Sequence, residues 1–545
     1  MYWRAVDSST EQPSENLSPP GRLPPPPDPA SPAAALDVGR RTGRGGIAIS
    51  AAKLYFIITG LVQQVALKAV LGLEGYGALS SSLAAASIAY NPVVGASIQG
   101  VSHALATSLP AERESALRKT LRFHIALALL LGGCFFALAP SVGRFTGAPH
   151  IVLSLRVLSL VLVLYGVYAP LVGALNGLTH FGSQAALDAL AATLRTLGLV
   201  GGAAGLAGYD SEVLGGVEGA ALGFTVSSFA ILVVALWRVG IGRPGSGGPS
   251  LRAYLRFIGP ILLGQVLLNL LFQADQLLLR RFAAEAAVSA GLDVTRADAL
   301  VGAYRAIQLF CFLPYQLVLS ISIVIFPVVA KAHREGDQVA VADYVRQGMR
   351  LAVIITGLIV SVTAGLSEPL LRLVFGADAA LLGAAPMQLL ALGLGNLALF
   401  GVLTAILNSL EKQRLGLVVT ALACALVAAL CVGRVRGLPL GSELLMQTAL
   451  ATSAALLLAT LVAAWIVRRE AGAVLAPRTL FRVPLALGCA LLVARALPAS
   501  SGVLTLALSL VVVVSYVLAL IGLRELSAND WRQFQRIVAP RSAAG

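Results

Sequence analysis

From Ile47 to Leu523 the chain is a succession of apolar stretches, each ended by a short cluster of polar, Gly or Pro residues. The stretches are about 20 residues long, and a helix rising about 1.5 Å per residue crosses the hydrocarbon core of a bilayer in that length. They fall near 47–71, 77–105, 121–141, 151–176, 184–207, 214–237, 254–279, 300–329, 346–368, 381–408, 415–433, 443–467, 480–497 and 502–523, fourteen predicted spans in all. The pattern predicts an all-α polytopic membrane protein. Its longest polar interruption, 238–256, is rich in Gly and Pro, from Gly240 and Gly242 to Gly248 and Pro249. Six predicted spans precede it, six follow as far as 467, and two more come after 478. Gly75-Tyr76-Gly77 opens the second span, which carries Pro92, and Gly302-Ala303-Tyr304 opens the eighth, which carries Pro314. That coarse repetition, with unequal spacing, suggests two related bundles, an arrangement transporters build around a central site. The expected organisation is a tail over 1–46, a six-helix bundle over 47–238, a linker over 239–253, a second six-helix bundle over 254–468, two extra helices over 478–523 and a tail over 524–545.

Composition supports the membrane assignment. Apolar residues make up 57% and charged residues only 12%, against about 25% charged in a soluble domain. The segment 1–46 holds nine of the 26 prolines, including Pro24-Pro25-Pro26-Pro27, and too little apolar surface to order itself. It is read as a disordered tail and not as a secretory signal, because the apolar run starts only at Ile47 and no small-residue cleavage site follows. The net charge of +14 would point to nucleic acid in a soluble protein. With alternating loops, 25 basic residues fall on the side of the termini and 8 on the other, the latter being Arg144, Arg280, Arg281, Arg296, Arg372, Arg434, Arg436 and Arg495. That asymmetry is the positive-inside rule. It predicts both termini in the cytoplasm, a cytoplasmic (inner) membrane location and no nucleic-acid partner.

Cys134, Cys311, Cys424, Cys431 and Cys489 lie in apolar runs without a CxxC pair and are expected to be inert buried thiols. His103, His124, His150, His180 and His333 have no metal-ligand spacing, so no metal and no cofactor are expected. The sequence has no GxxxxGK[ST] for nucleotide phosphates, no HExxH and no GxSxG.

Several short motifs, in order, resemble the MOP exporter superfamily of multidrug, oligosaccharidyl-lipid and polysaccharide exporters. They are Leu71-Gly72-Leu73-Glu74-Gly75-Tyr76-Gly77, then Gly216-Val217-Glu218-Gly219-Ala220-Ala221-Leu222-Gly223, then Asp275, Val301-Gly302-Ala303-Tyr304, Leu313-Pro314 and Phe326-Pro327. With the helix number, the resemblance extends over roughly residues 47–525. Fourteen spans are similar to the polysaccharide and lipid-linked-precursor flippases, whereas drug exporters of the superfamily usually have twelve. The resemblance implies alternating access, a lipid-linked sugar as cargo, and extra helices that offer a groove to its lipid tail. The proline-rich tail departs from the family pattern.

A charge deep in a bilayer is costly and faces a cavity or a partner. Arg195 is midway along the fifth span. Asp188, seven residues earlier, is about 20° away around the helix and about 10 Å along it, too far for direct contact. Both are candidates either for interhelical ion pairs or for a cavity wall in which Arg195 meets an anionic headgroup. Lys53, Gly60, Gln64 and Lys68 share an arc of about 80° on the first span. The lysines either snorkel to opposite interfaces or line a wet cavity with Gln64. The seventh span carries Gln265, Asn269, Gln273 and Gln276 on one arc, and the eighth carries Arg305, Gln308, Gln316 and Ser320 on one face. A shared polar cavity accounts for these stripes together. Asp275 and Arg305, near the outer ends of consecutive spans, are expected to form a salt bridge or a gate. Arg156 is expected either at the headgroup or as an interfacial anchor.

The function expected is translocation of a lipid-linked oligosaccharide or polysaccharide precursor across the cytoplasmic membrane, with membrane lipids, a polyprenyl-pyrophosphate-linked sugar and polysaccharide-assembly enzymes as partners. The alternatives are a cation-coupled multidrug exporter of the same superfamily and a polytopic membrane glycosyltransferase. The short outer loops, the longest near 280–299, argue for a transporter over an enzyme.

Overall fold

The computed structural model describes residues 32–207, 214–498 and 502–526. Among them are fifteen α-helices and no strand: α1 Pro32–Thr107, α2 Arg113–Thr146, α3 Val152–Gly177, α4 Phe181–Leu206, α5 Leu214–Val239, α6 Leu251–Ser289, α7 Arg296–Cys311, α8 Leu313–Arg334, α9 Gln338–Gly365, α10 Ser367–Phe375, α11 Ala377–Ser409, α12 Gln413–Val435, α13 Ser442–Ala471, α14 Pro477–Ala496 and α15 Val503–Gly522. Thirteen helical stretches are long and apolar enough to cross a membrane, and the first of them, Tyr55–Thr107, runs for 53 residues. It is broken at Gly72, whose φ of 68° and ψ of −176° lie outside the helical region and suit only glycine. Twelve residues of straight helix span about 18 Å, yet the Tyr76 hydroxyl donates to Gln64 Oε1 at 2.8 Å. The chain therefore reverses at Gly72, and α1 is two limbs, one on each of the first two predicted spans. All fourteen predicted spans thus fall on helices.

Two details differ from the expectation. The eighth span is two helices, α7 and α8, separated at Phe312 where Pro314 enters the first turn of α8. α1 begins at Pro32, within the segment read as a tail; an alanine-rich start from Ala33 suits a helix. Residues 1–31 and 527–545 of the two expected tails lie outside the described residues.

Packing depends on glycine where backbones meet. On α4 and α5, a Cβ at Gly198 would sit 2.3 Å from the Gly223 carbonyl oxygen, and one at Gly202 would sit 2.1 Å from that of Gly219. Small residues of this kind let membrane helices approach backbone to backbone. The same device joins the two segments that look alike in sequence. A Cβ on Gly77 would be 1.8 Å from the Asp298 carbonyl oxygen, and one on Gly302 would be 2.3 Å from that of Leu73. The second limb of α1 therefore rests directly on α7.

The residues between α5 and α6 lie on the start of α2: Lys119 Nζ donates to the Ser246 carbonyl at 2.7 Å, and Arg243 pairs with Glu114 at 3.3 Å. At the other extreme of the chain, buried Glu525 takes Arg350 Nε at 2.9 Å and the Thr479 hydroxyl at 2.7 Å, with Arg482 at 3.6 Å. This carboxylate ties the α14–α15 hairpin to α9. Cys311, Cys424 and Cys431 are buried as expected. Cys134 and Cys489 are not: they lie on the outer surface of their helices, because a span that faces lipid has no need to bury an apolar thiol.

Candidate functional site

Asp275, on α6, is 2% exposed among helices read as crossing the membrane. Both of its oxygens are taken by donors. The Tyr304 hydroxyl donates to Oδ2 at 2.6 Å, Gln308 Nε2 reaches Oδ1 and Oδ2 at 3.2 and 3.3 Å, the Gln276 amide N–H donates to Oδ1 at 2.8 Å, and the Thr452 hydroxyl from α13 reaches Oδ2 at 3.5 Å. Buried carboxylates survive in apolar surroundings when donors surround them this way. The expected Asp275–Arg305 salt bridge is not formed. Arg305 Nη1 instead donates to Gln308 Oε1 at 3.4 Å, so Gln308 stands between guanidinium and carboxylate. The physical reason is spacing: Arg305 and Gln308 are three apart on α7 and share a face, and the amide, able to donate and accept at once, fills the gap. Arg305 also lies against the Tyr76 hydroxyl, which holds Gln64. A continuous polar chain therefore runs Gln64–Tyr76–Arg305–Gln308–Asp275–Tyr304, across α1, α7 and α6.

The α6 stripe divides. Asn269 accepts from Asn91 Nδ2 on α1 at 3.0 Å and donates to the Gln265 carbonyl at 2.9 Å, and Gln265 packs over Gly95. These amides bind α6 to the second limb of α1. Gln273 Oε1 and both amide atoms of Gln276 are buried without a hydrogen-bond partner.

Arg195 is in a separate place. Its guanidinium carbon stands 4.8 Å over the ring of Phe224 on α5. Phe224 meets Tyr90 and Tyr165 at ring separations of 6.3 and 5.8 Å, and the Tyr165 hydroxyl is within electrostatic reach of both Arg195 and Asp188. Arg195 Nε is buried with no hydrogen-bond partner, and no carboxylate among the described residues pairs with Arg195. Aromatic faces compensate a cation partially and leave the fork of N–H donors available to an anion.

Other expected site residues are elsewhere. Arg156 is exposed over the Phe136 ring at 5.3 Å, on the outer side of α3. Gln316 is exposed on α8. Lys68 pairs with Asp378 at 2.9 Å. The side chain of Lys53 lies outside the described residues. One cavity of this shape was therefore not what the stripes formed: they divide between the Asp275 chain, the α1–α6 amides and the aromatic setting of Arg195.

Sequence reasoning missed Tyr76, Asn91, Tyr304 and Thr452, which resemble ordinary membrane-helix residues until partners are known. It also missed the ion pairs that link residues before the 240–250 segment to residues after it. Lys68–Asp378, Glu74–Arg296 at 3.5 Å and His150–Asp298 at 2.9 Å all sit at the end of the molecule that carries Gly72. At the opposite end, the contacts of α6 with the earlier helices are uncharged pairs: His124 Nε2 with the Tyr254 hydroxyl at 2.7 Å, and His103 stacked on Phe257 at 4.1 Å. No group of metal-ligating side chains occurs among the described residues.

A bundle of apolar helices broken by a glycine turn, with buried polar chains between its two series, defines an all-α multi-pass membrane protein. A family model described as "Polysaccharide biosynthesis protein" matches residues 42–333, more than half of the sequence, and the chain belongs to that family. Solved structures share the fold. "Lipid II flippase MurJ, inward closed conformation" aligns with a TM-score of 0.68 at 14% identity, over 88% of this chain and 99% of that one. A multidrug resistance MATE family transporter of the MOP superfamily, inward-facing, aligns with a TM-score of 0.60 at 16% identity, over 78% of this chain and 98% of that one. A MOP superfamily transporter from Pyrococcus furiosus, described by the reverse polarity of its binding pocket, aligns with a TM-score of 0.55 at 15% identity, over 78% and 96%. No curated protein matches the chain in sequence.

Proposed function

We propose that the protein is a flippase that carries a lipid-linked oligosaccharide or polysaccharide precursor across the cytoplasmic membrane by alternating access. In this reading helices α1–α5 and helices α6–α13 are the two moving bodies, α14 and α15 flank the second, and both termini are cytoplasmic. The observation that carries it is Arg195: a guanidinium half-buried in a membrane helix, held by an aromatic face and, among the described residues, by no carboxylate. Its planar fork matches a phosphate through two parallel hydrogen bonds. Membership in the polysaccharide biosynthesis family supports a sugar-bearing cargo. The MurJ structure also covers 88% of the chain against 78% for the MATE one, a difference about as long as two spans.

The test is Arg195→Lys and Arg195→Ala in reconstituted vesicles loaded with a polyprenyl-pyrophosphate oligosaccharide. Arg195→Lys is expected to lower flipping about tenfold or more, since an ammonium cannot reproduce the bidentate contact; Arg195→Ala is expected to abolish it while the protein inserts and melts normally. Normal flipping by Arg195→Ala sinks the assignment. Loss of stability that Asp188→Ala restores makes Arg195 structural instead. Export of a cationic drug by the wild type favours the multidrug reading, and sugar transfer by purified protein favours the glycosyltransferase reading.

A further inference from the structure

Three ion pairs join earlier to later helices at the Gly72 end, and one differs from the others in kind. His150, in the single 3₁₀ turn Pro149–Ile151 between α2 and α3, places Nε2 2.9 Å from Asp298 Oδ2 at the start of α7. The other oxygen of that carboxylate takes Nε of fully buried Arg280 at 2.7 Å. Despite the short distance, neither ring nitrogen of His150 is aligned with a hydrogen-bond partner. A protonated ring adds a charge attraction to this contact that a neutral ring lacks. Imidazole is the side chain whose ordinary titration falls between pH 5 and 8.

The surrounding charges are otherwise engaged. On the turn before α7 and on α7 itself, Asp293 is bonded to Thr295, and Arg296 pairs with Glu74 of α1. On α6, Arg280 shares Asp298, and Arg281 pairs with Glu285. On α1, Lys68 pairs with Asp378. On α2, Arg144 turns to Ser141, and on α3, Arg156 turns to Phe136. Asp293 is within electrostatic reach of the ring as well. Gaining a proton places a cation beside both carboxylates, and losing it removes that attraction.

We propose that His150 and Asp298 form a pH-sensitive clasp between the α2–α3 turn and α7, which holds the Gly72 end shut when the ring is protonated and releases it when the ring is neutral. This goes beyond the cargo reading, and its readout is a distance measured without substrate, so the two stand or fall separately.

The test uses the full chain in nanodiscs, with Cys134 and Cys489 replaced by Ser and spin labels at Leu153 on α3 and Val288 on α6, both exposed. Pulsed dipolar spectroscopy reads the ratio of short-distance to long-distance populations. In the wild type that ratio is expected to be about fivefold higher at pH 5.5 than at pH 8, the size of effect one partly buried ion pair supports. His150→Gln is expected to give the pH 8 distribution at both pH values. His150→Lys, charged throughout, is expected to give the pH 5.5 distribution at both, and it serves also if His150→Gln fails to fold. A wild-type ratio independent of pH, or a pH response that persists in His150→Gln or His150→Lys, overturns the clasp.

Discussion

Asp275 shows what holds a carboxylate inside a membrane bundle. Each side chain facing it donates, so replacing it with Asn points an NH2 group at hydroxyl and amide donors and leaves at least one buried polar group unpaired. Asp275→Asn is expected to cost about 1–3 kcal/mol of stability, read as a lower melting temperature in detergent. Because Gln308 links Arg305 to Asp275, a double-mutant cycle of Asp275→Asn with Arg305→Gln should show coupling that vanishes in a Gln308→Leu background. The charge swap Asp275→Arg with Arg305→Asp should not restore function, as it would for a direct pair. Retained coupling in Gln308→Leu, or rescue by the swap, argues for direct contact in another state. The sequence placed both charges near the same end of consecutive spans, and so a pair was the natural expectation. Which rotamer fills the space between two helices is decided by packing that one sequence does not express. For Arg156 the depth is legible but the face it presents is not, and the structure turns it outward over Phe136, where the interfacial-anchor alternative would put it.

At the scale of elements, the apolar lengths were fully legible, because the bilayer sets them. Of the glycines that let helices touch, the motifs held Gly77, Gly219, Gly223 and Gly302, but what each one meets was not legible. On α4 and α5 they sit four apart as Gly198 with Gly202 and Gly219 with Gly223, and a methyl group at Gly223 would fall 1.8 Å from the Gly198 carbonyl oxygen. Backbone cannot yield as a flexible side chain does. Gly223→Ala is therefore expected to destabilise the protein by about 1–3 kcal/mol, whereas Gly201→Ala, with nothing near its Cβ direction, should be neutral. Equal melting temperatures for the two variants would contradict the close crossing. The same crossing places Phe224, the residue after Gly223, under Arg195, so a shift of α5 should reach the cation as well; flipping by Gly223→Ala measured at equal protein level reads that link. Similarly, the break between α7 and α8 follows from Pro314, yet hydropathy alone joined them, since the residues on either side of it, 309–313 and 317–319, are apolar.

For the whole molecule, charge and contact divide between two ends. The three ion pairs between earlier and later helices gather at the Gly72 end. The basic residues that exceed those of the other side gather at the opposite end, with Arg350 and Arg482 on Glu525 and Arg469 over the exposed ring of Trp465 at 5.8 Å. Trp marks either membrane boundary, whereas an excess of arginine marks the cytoplasmic one. Under the orientation proposed above, the turn at Gly291 faces outside and the turn at Gly336 faces the cytoplasm; both are exposed. Single cysteines introduced there, with Cys134 and Cys489 removed, should react differently with a membrane-impermeant maleimide in intact cells. Gly291→Cys is expected to label fully and Gly336→Cys only after lysis. Because the two positions lie on opposite ends of the α7–α8 pair, the result does not depend on how that pair is divided into spans. The reverse pattern would put Arg350, Arg469 and Arg482 outside, reverse the side on which the His150 clasp meets the medium, and leave the Gly72 end facing the cytoplasm, where the proposed closure would then block loading rather than release.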